Sequence, residues 1–568
     1  MHEYPRVPLR PPHRPLIWGD LNVIHTTDTH GWLLGHQKLS WAEPYYSGDL
    51  GDFSSFVTHM KQIAIEKDVD LLLIDSGDVH DGTGLSDGSH GGVDAHDSNK
   101  FIERLPYDLM TIGNHELYVY ADTYDMYTSF IPHLAGRYLT SNVNITIFDS
   151  DGKSESVPVG NRYAKFTTRK GRRITSLGVI FNFTQNAANT TVQTVQDMVK
   201  EQWFVEAIAE EPDAFVLIGH MPVSYDSWPT VINAVRAVHP LTPILVFGGH
   251  THIRDCQQYD GRSMGIESGR YMETIGADLD AAKGNHDNIT FTRRYLDQNR
   301  VTYEYHTHTS RNSFDTNNGR SITYGLQELA ARYDLSYPYG TAPQDYTLSQ
   351  NPYPSNGSLL SLFLDHAVPY ALAINNTRDS IPNIIIINSW ALRFDLMKGS
   401  FTKNDQLTIM QYKDTFLYIP DVPSSIANQV LPALDNPTAM KQKRDEIDNT
   451  RDSVWLEIDD RPGREATSDK WAFGYVTKDS CHDAGHADDT LHTALPYYTA
   501  PYYISSNPPN VTADTLIDIV FLNYLGEEII PILNKLQKNK NYTMDDVLSY
   551  SPTLTSDILG LYAQAKWN

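Results

Sequence analysis

Side chains that commonly bind metal ions recur at the ends of short apolar runs in the first 252 residues. They are Asp28, His30, Asp78, Asn114, His220, His250 and His252. The run at residues 71–74 precedes Asp78 and the run at 215–218 precedes His220, and such runs indicate buried parallel strands. In an open α/β sheet, the residues just beyond the carboxyl ends of the strands meet in one crevice. We therefore expect these side chains to share one site.

The donor types indicate a centre of two metal ions. Oxygen donors beside imidazoles suit Zn, Mn or Fe, and the two cysteines are too few for a thiolate site. A single ion needs only three or four protein ligands, so this set is large enough for two. Two ions about 3.5–4 Å apart can acidify a bound water and orient a phosphate for in-line attack. The spacing therefore predicts a two-metal hydrolase that acts on phosphate esters.

Five motifs carry a resemblance to a known family. They are Asp28-Thr29-His30, GDVHDG at 77–82, GNHE at 113–116, Gly219-His220 and GGHTH at 248–252. They resemble the calcineurin-like metallophosphoesterases, in particular the two-domain 5′-nucleotidases and most closely their fungal branch. The resemblance covers the N-terminal half strongly and the C-terminal half weakly. It implies a phosphomonoesterase that hydrolyses 5′-nucleotides such as AMP by in-line attack of a metal-bridging hydroxide.

The same resemblance assigns roles to individual residues. It implies that one ion is held by Asp28, His30 and His252, the other by Asn114, His220 and His250, and that Asp78 bridges them. The implied ions are two divalent cations, Zn before Mn or Fe. His115 would stand off the metals and stabilise charge on the phosphoryl oxygens or on the leaving alkoxide. The family often pairs this histidine with an Asp three residues on, but Tyr118 stands there, so His115 is oriented differently or is less basic.

The C-terminal half must recognise the leaving group, because metal ions recognise only phosphate. Residues 384–393 resemble the family's strand followed by Asn-x-Gly-Gly-x-Arg, which implies that Asn388 and Arg393 bind substrate. Tyr412 falls where the family places an aromatic side chain that stacks on the base. Structural roles for Arg393 and Tyr412, a salt bridge and core packing, remain the alternative.

Two departures from the C-terminal family pattern leave the substrate open. Trp390 and Ala391 replace the glycine pair, which narrows the pocket. The last family motif, an aromatic residue and an Asp near a glycine-rich turn, is only faintly visible at residues 485–490 and lacks the aromatic. Tyrosines that could supply the ring, although such a cluster more often packs in a core, are Tyr497, Tyr498, Tyr502 and Tyr503.

The alternation of strand-like and helical patterns predicts an α/β fold in two domains. We expect an N-terminal extension over 1–19 and a layered β-sandwich metallophosphoesterase domain flanked by helices over 20–310. A helical linker follows over 311–336, and a smaller α/β substrate domain over 337–568. Within this scheme, helices are predicted at 53–66, 100–105, 195–210, 230–238, 324–333 and 515–535, and a hairpin at 163–181. The charged stretch at 441–452 is interpreted as a solvated helix face.

Composition restricts the class of partner. The net charge is −25, with 45 basic and 70 acidic residues, which disfavours a nucleic-acid polymer and leaves small nucleotides as the expected partner. No apolar run is long enough to span a bilayer. Oligomeric state is not determined by the sequence.

Eight Asn-x-Ser/Thr sequons favour the secretory pathway, with a vacuolar or extracellular destination. They begin at Asn144, Asn182, Asn189, Asn288, Asn356, Asn375, Asn510 and Asn541. Residues 1–15 lack the apolar core of a signal peptide, so a targeting segment is absent from this chain or the protein stays inside the cell. Cys256 and Cys481 are expected either to form one bridge between the two halves of the chain or to remain two buried thiols.

Two other functions are compatible with the sequence. The same metal core could act as a phosphodiesterase or pyrophosphatase on nucleotide sugars or cyclic nucleotides, and the identity of the product would separate that activity from nucleotidase activity. A non-catalytic ligand-binding protein that kept the fold is the third interpretation. It is disfavoured because none of the expected ligands is missing.

Overall fold

The computed structural model describes residues 7–89, 92–281, 289–435, 481, 487–490, 492 and 495–568. Within these residues the strands fall into layered sheets. In chain order they are β1 (Leu21–Thr26), β2 (Asp70–Asp75), β3 (Leu109–Thr111), β4 (Tyr138–Leu139), β5 (Val143–Phe148), β6 (Ser154–Pro158), β7 (Tyr163–Thr167), β8 (Arg173–Ile180), β9 (Thr190–Val192), β10 (Ala214–His220), β11 (Ile244–Gly248), β12 (Arg254–Asp260), β13 (Ser263–Ser268), β14 (Thr274–Ala281), β15 (Thr290–Asp297), β16 (Pro338–Ala342), β17 (Asn383–Asn388), β18 (Gly399–Thr402), β19 (Thr415–Pro423), β20 (Tyr503–Ser505), β21 (Leu516–Leu522) and β22 (Leu548–Leu554).

The α-helices cover the outer faces of the sheets. In the described residues they are α1 (Leu50–Glu66), α2 (Gly84–Asp87), α3 (Asn99–Ile102), α4 (Tyr120–Asp125), α5 (Val195–Met198), α6 (Gln202–Ile208), α7 (Trp228–Val238), α8 (Arg300–Thr307), α9 (Asn317–Arg332), α10 (Leu359–Leu362), α11 (Val368–Ala373), α12 (Lys403–Ile409), α13 (Ser424–Ala427), α14 (Val430–Leu434), α15 (Gly526–Leu536) and α16 (Ile558–Lys566). None of these helices combines the length and the apolar character needed to cross a bilayer. The stretch at 441–452 lies outside the described residues.

The N-terminal domain is a sandwich of two six-stranded sheets. Their strand orders are β15-β14-β1-β2-β3-β4 and β12-β13-β11-β10-β8-β7. The strands β1 to β4 are parallel in the first sheet, and β8, β10, β11 and β13 are parallel in the second. Apolar side chains from both sheets, such as Ile74 and Val216, are fully buried between them. The predicted layered fold is confirmed, and all the parallel strands point their carboxyl ends at one edge of the sandwich.

The predicted hairpin forms, because β7 and β8 pair antiparallel. The helix predicted at 195–210 is interrupted, since α5 ends at Met198 and α6 begins at Gln202. The segment 317–332 is a helix longer than predicted. Its apolar stripe, including Ile322 and Leu326, is buried in the same core as α1 of the N-terminal domain.

The C-terminal domain is built on a five-stranded sheet with the order β20-β17-β21-β19-β22. The prediction of one helix over 515–535 was wrong, because its first half is the central strand β21. The segment Leu-Ile-Asp-Ile-Val-Phe-Leu is rich in β-branched and aromatic residues, and six of its seven positions are buried, which suits a strand covered on both faces. β17 and β21 are parallel neighbours, so their carboxyl ends lie side by side.

A segment from the C-terminal half lies on the N-terminal domain. We call the described residues 481, 487–490 and 492 the strap. Cys481 forms a disulfide with Cys256 on β12, so of the two expectations for the cysteines the bridge is realised. The backbone of Tyr295 on β15 donates to the Ala487 carbonyl at 2.7 Å and accepts from the Asp489 backbone at 2.9 Å. The strap therefore pairs with the edge strand β15 of the first sheet.

Buried ion pairs hold the strap in place. Arg254, which is 2% exposed, contacts Asp488 at 2.9 Å and Asp297 at 3.1 Å. His306 contacts Asp489 at 2.7 Å. Asp488 and Asp489, the two acidic residues of the faint motif at 485–490, thus make structural ion pairs. Gly485 and His486 lie outside the described residues.

Candidate metal centre and adjoining pocket

The predicted metal ligands of the N-terminal domain gather at the carboxyl edge of the parallel strands. Several of them have a backbone in the left-handed region, with φ of 51° at Asp28, 44° at His30, 56° at Asp78, 84° at His250 and 62° at His252. This region is unfavourable for residues with a Cβ and concentrates at functional sites. The backbone of Asp28 donates to the Gly77 carbonyl at 2.9 Å, which joins the loops after β1 and β2.

One group of donors consists of Asp28, His30 and His252, all buried and within 4.8 Å of one another. His252 Nε2 lies 3.2 Å from Asp28 Oδ1 and 3.2 Å from His30 Nε2. His30 Nδ1 lies 2.7 Å from the carbonyl oxygens of His80 and Asp81. Because those carbonyls can only accept, Nδ1 carries the proton and the Nε2 lone pair faces the centre.

A second group consists of Asp78, His220 and His250. His220 Nε2 lies 2.9 Å from Asp78 Oδ2, and its Nδ1 lies 2.9 Å from the Ser76 carbonyl. Asp78 Oδ2 is also 3.6 Å from His30 Nε2 of the first group. Asp78 therefore lies between the two groups, where a shared ligand would stand.

Two buried donor atoms show that this centre suits cations. Asn114 uses its amide nitrogen to donate to the Tyr118 hydroxyl at 2.9 Å, while its Oδ1 has no hydrogen-bond partner among the described residues. Within the part of the chain that the structure describes, His250 Nε2 also lacks a hydrogen-bond partner, and its ring stacks on Phe181 at 4.2 Å. Buried polar atoms without partners are costly, and a divalent cation that accepts their lone pairs would satisfy both. The donor set therefore fits metal ions.

The buried carboxylates and imidazoles of the centre shift one another's pKa values. Burial raises the pKa of Asp78 to about 6, despite the opposing effect of His220. Burial alone would lower the pKa of His220, but the carboxylates of Asp78 and Asp28 raise it to about 10. Burial lowers the pKa of His252 to about 4. The centre thus combines two buried carboxylates with imidazoles whose Nε2 atoms point at them.

Glu116, which sequence analysis did not single out, fixes the loops that carry the ligands. Its carboxylate accepts from the backbone N–H groups of Gly113 at 2.7 Å, Val79 at 2.8 Å, His80 at 3.1 Å and Asp78 at 3.2 Å. A Cβ at Gly113 would overlap the Asp78 carboxylate, so only glycine fits there. This carboxylate joins the loop after β2 to the loop after β3.

His115 is oriented by Asp81 and not by the residue three positions on. Its Nδ1 lies 2.8 Å from Asp81 Oδ2, and its backbone N–H donates to Asp78 Oδ1 at 2.9 Å. Tyr118 instead packs its ring against His115 at 5.0 Å. Asp81 was visible in the GDVHDG motif, but the sequence does not show that the loop turns this carboxylate toward His115.

Arg393 of the C-terminal domain lies at the same centre. The next residue, Phe394, packs on Trp32 of the N-terminal domain with ring centroids 4.6 Å apart. Burial is the main reason that the pKa values of His30 and His250 lie well below the ordinary value, and the positive charge of Arg393 lowers them further. Arg393 is therefore close enough to these ligands for its charge to act on them.

A pocket of about 310 Å³ adjoins the centre, and the three predicted substrate residues Asn388, Arg393 and Tyr412 line it together. Residues that also line it and were not predicted are Tyr118, Gln185, Asp414 and Tyr524. The Tyr524 hydroxyl donates to Asn388 Oδ1 at 3.2 Å. Tyr524 follows β21, and Asn388 ends its parallel neighbour β17, so the strand pairing was the signal that could have revealed it.

The tyrosines proposed to supply a missing ring lie elsewhere. Tyr502 and Tyr503 are buried in the core of the C-terminal domain. Tyr497 and Tyr498 line a separate cavity on the other side of Trp390 and Arg393. Tyr524, together with Tyr118 and Trp390, therefore supplies aromatic side chains to the pocket that Tyr412 lines.

Known proteins resemble this chain over nearly its whole length. The family described as calcineurin-like phosphoesterase matches residues 21–254, and the one described as NAD nucleotidase, C-terminal domain, matches 345–530. A secreted protein of Arthroderma benhamiae is 36% identical and aligns with 98% of this chain and 92% of its own length. An uncharacterized protein of Schizosaccharomyces pombe is 35% identical, over 94% of this chain and 89% of its own length.

Solved structures agree with these sequence matches. The crystal structure of 5′-nucleotidase from Candida albicans has a TM-score of 0.86 and 32% identity, covering 98% of this chain and 100% of that one. A 5′-nucleotidase precursor from Thermus thermophilus, with 13% identity, 96% coverage of both chains and a TM-score of 0.58, shares the fold.

We expect the Asp81→Asn variant to lower hydrolysis of p-nitrophenyl phosphate about 10- to 100-fold, because a hydrogen bond to a charged group contributes about 1.5–3 kcal/mol. Metal content, measured by elemental analysis, should stay unchanged. If Asp81 acts through His115, the same substitution in a His115→Ala background should cause no further loss. Additive losses in the double variant would contradict this role.

Proposed function

Because this chain belongs to the calcineurin-like phosphoesterases with a 5′-nucleotidase-type C-terminal domain, we propose that it hydrolyses 5′-nucleotides such as AMP to nucleoside and phosphate at a centre of two divalent cations. Family membership makes it a metal-dependent phosphoester hydrolase, so the interpretation as a non-catalytic relic is not retained. The observation that carries the proposal is the shared position of Asp78 between two groups of donors, with Arg393 and a nucleoside-sized pocket beside them.

The two ions would be held by the residues predicted from the motifs. Asp28, His30 and His252 would bind one, Asn114, His220 and His250 the other, and Asp78 both. When bound, such ions lower the pKa of a coordinated water and neutralise charge on a phosphate. Nitrogen and oxygen donors of this kind favour Zn, with Mn or Fe as alternatives.

The remaining side chains act on the phosphate and on the leaving group. His115 Nε2 lies 3.9 Å from Asp78 Oδ2 and is placed to donate a proton to the leaving oxygen, while Asp81 stabilises the positive charge of the protonated ring. The guanidinium of Arg393 offers a planar pair of donors to phosphoryl oxygens. Both groups therefore stabilise negative charge that develops on the phosphoryl oxygens and on the leaving oxygen during the reaction.

The pocket supplies recognition of the nucleoside. Its volume of about 310 Å³ is within the usual range of small-molecule sites. Tyr412 and Tyr524 offer two aromatic faces for a base, and Asn388 and Gln185 offer amide groups for hydrogen bonds. We propose that the base stacks between these tyrosines while the phosphate reaches Arg393 and the metal ligands.

The metal requirement gives the most direct test. Protein dialysed against Zn or Mn should retain two equivalents per chain by elemental analysis and release phosphate from AMP. Asp78→Ala should lose both ions and lower turnover by roughly 10³-fold, because the ions contribute several kcal/mol to the reaction. Asp260→Asn, whose carboxylate pairs with Arg236 at the surface, is the matched control. Full turnover by Asp78→Ala would overturn the proposal.

The role of the aromatic side chains is tested separately. Tyr412→Ala should raise KM for AMP about 5- to 150-fold, because base stacking contributes about 1–3 kcal/mol. Tyr412→Phe should have the same KM for AMP as the wild-type protein, because its ring is retained. The wild-type protein and both variants should hydrolyse p-nitrophenyl phosphate at equal rates. Equal losses on both substrates would show that Tyr412 is structural.

A second candidate reaction is cleavage of a nucleotide anhydride or diester by the same centre. It is favoured by the match of residues 345–530 to the family described as NAD nucleotidase, C-terminal domain. Product analysis by chromatography separates the candidates, because the second reaction yields a nucleotide where the first yields a nucleoside and phosphate.

We also propose that the protein enters the secretory pathway and is glycosylated. The Cys256–Cys481 disulfide and a relative described as secreted support this route. Among the sequon asparagines in the described residues, Asn189, Asn356, Asn375, Asn510 and Asn541 are exposed, and Asn144 and Asn182 are half-buried. Asn288 lies outside those residues.

Material isolated from a fungal secretory host should therefore lose mass on treatment with an endoglycosidase, and the loss should map to peptides that contain the exposed sequons. An intact mass equal to the 64.2 kDa polypeptide before treatment would contradict glycosylation.

A further inference from the structure

Tyr118 stands in the wall of the nucleoside pocket and contacts one of the expected metal ligands. The family often has an aspartate at this position that pairs with the catalytic histidine, a task that Asp81 performs in this protein. The Tyr118 hydroxyl instead accepts a hydrogen bond from Asn114 Nδ2 at 2.9 Å. Asn114 is 1% exposed and is expected to bind what we call the second ion, together with His220 and His250.

The amide group of Asn114 has two different ends, and only its oxygen can bind a cation. Nδ2 carries two N–H donors, which would point positive hydrogens at an ion. When Oδ1 faces the ion, Nδ2 must find an acceptor within the buried surroundings, because a buried donor without a partner costs about 1–3 kcal/mol. Among the described residues, Nδ2 has no hydrogen-bond partner besides the Tyr118 hydroxyl. Loss of that hydroxyl would let the amide turn away from the ion.

The ring of Tyr118 is held by an aromatic segment that also contacts the other ligands of the second ion. Phe183 packs edge-on against Tyr118 with ring centroids 5.5 Å apart, and against Phe181 at 5.6 Å. The Phe181 ring stacks on His250 at 4.2 Å, and the Phe181 backbone N–H donates to the His220 carbonyl at 3.2 Å. Both phenylalanines are 2% exposed. The segment after β8 therefore supports these histidines and the tyrosine together.

The other group of donors is oriented by different contacts. His30 Nδ1 lies 2.7 Å from the carbonyl oxygens of His80 and Asp81, in the loop after β2. A change at the Tyr118 hydroxyl should therefore act on the second ion more strongly than on the ion that His30 would bind.

We propose that Tyr118 is a positioning residue for the second ion. Its hydroxyl binds Asn114 Nδ2, and its aromatic neighbours fix the hydroxyl, so that Asn114 Oδ1 faces the cation. This role rests on the two-ion centre of the proposed function and extends it to a residue outside the ligand set. Hydrogen-bond partners of metal ligands typically contribute about 10- to 100-fold to metal affinity.

Calorimetric titration of the metal-free protein with Mn²⁺ measures this role without turnover. Mn²⁺ binds such donors more weakly than Zn²⁺, which brings both affinities into range. The wild-type protein should bind two ions. Tyr118→Phe should bind one of them unchanged and the other about 10- to 100-fold more weakly, because the ring stays and the hydrogen bond is lost. Tyr120→Phe is the matched control, since it removes a hydroxyl that donates to the Thr146 carbonyl at 2.8 Å.

Asn114→Asp separates orientation of the amide from a general effect on the fold. A carboxylate presents an oxygen at either end, so its binding to a cation does not depend on which end Tyr118 contacts. In the Asn114→Asp background, Tyr118→Phe should therefore change the affinity for the second ion by less than about 3-fold. The same loss in both backgrounds would overturn the proposal.

The remaining outcomes distinguish this role from the proposed function. Unchanged affinity for both ions in Tyr118→Phe, or an equal loss at both, would overturn the proposal. A raised KM for AMP with normal metal affinity would also overturn it, because Tyr118 would then be a substrate contact. Wild-type protein that binds fewer than two ions would count against the two-ion centre itself. Failure of protein loaded with two ions to hydrolyse AMP would count against nucleotidase activity and leave the titration valid.

Discussion

The burial of two carboxylates at one point is the constraint on which the rest of this structure depends. Asp28 and Asp78 are 0% and 1% exposed, and like charges in such a place are unfavourable unless they are compensated. Backbone N–H groups of His250 and His115 donate to them, and the Nε2 atoms of His220 and His252 face them. These contacts compensate only part of the negative charge. The ligand loops adopt a left-handed backbone, and position 113 is a glycine, because these groups must approach one another closely. The divalent cations that the family implies would balance the remaining negative charge.

The C-terminal domain contributes to this centre through one buried aromatic contact. Phe394 is fixed against Trp32 and lies 5.9 Å from Tyr271, whose backbone N–H donates to the Asp28 carbonyl at 2.7 Å. This packing places the preceding residue, Arg393, in the wall of the nucleoside pocket, near enough to the metal ligands for its charge to act on them. Further contacts across the interface, such as Lys38 with Asp405 at 2.8 Å, hold the same arrangement. Domain closure is therefore not needed to bring Arg393 to the centre.

The sequence predicted the N-terminal site better than the C-terminal one, for a physical reason. Metal ligands at strand ends depend on short local patterns, and apolar runs before Asp78 or His220 are visible without any knowledge of the fold. The partner of His115 depends on which way a loop turns, so Asp81 was missed. Tyr524 depends on strand pairing between β17 and β21, and the apolar stretch before it was mistaken for a helix, since a short apolar run does not separate the two. The strap was also missed. Its contacts with Arg254 and Tyr295 join residues that are far apart in the chain, and no local sequence pattern shows such contacts.

The strap also bears on how the chain can be assembled during synthesis. Arg254 on β12 has two carboxylate partners, Asp297 and Asp488, and the second lies 234 positions later in the chain. The edge strand β15 pairs with residues that emerge after most of the C-terminal half has been made. Until then Arg254 lacks one of its two partners, and the edge of β15 is not covered by the strap. An unpaired strand edge can pair with other chains. The N-terminal domain therefore gains its last edge contacts only after the strap has been synthesised. The two domains have separate cores, yet the edge of the first is completed by a segment that belongs to the second half of the chain.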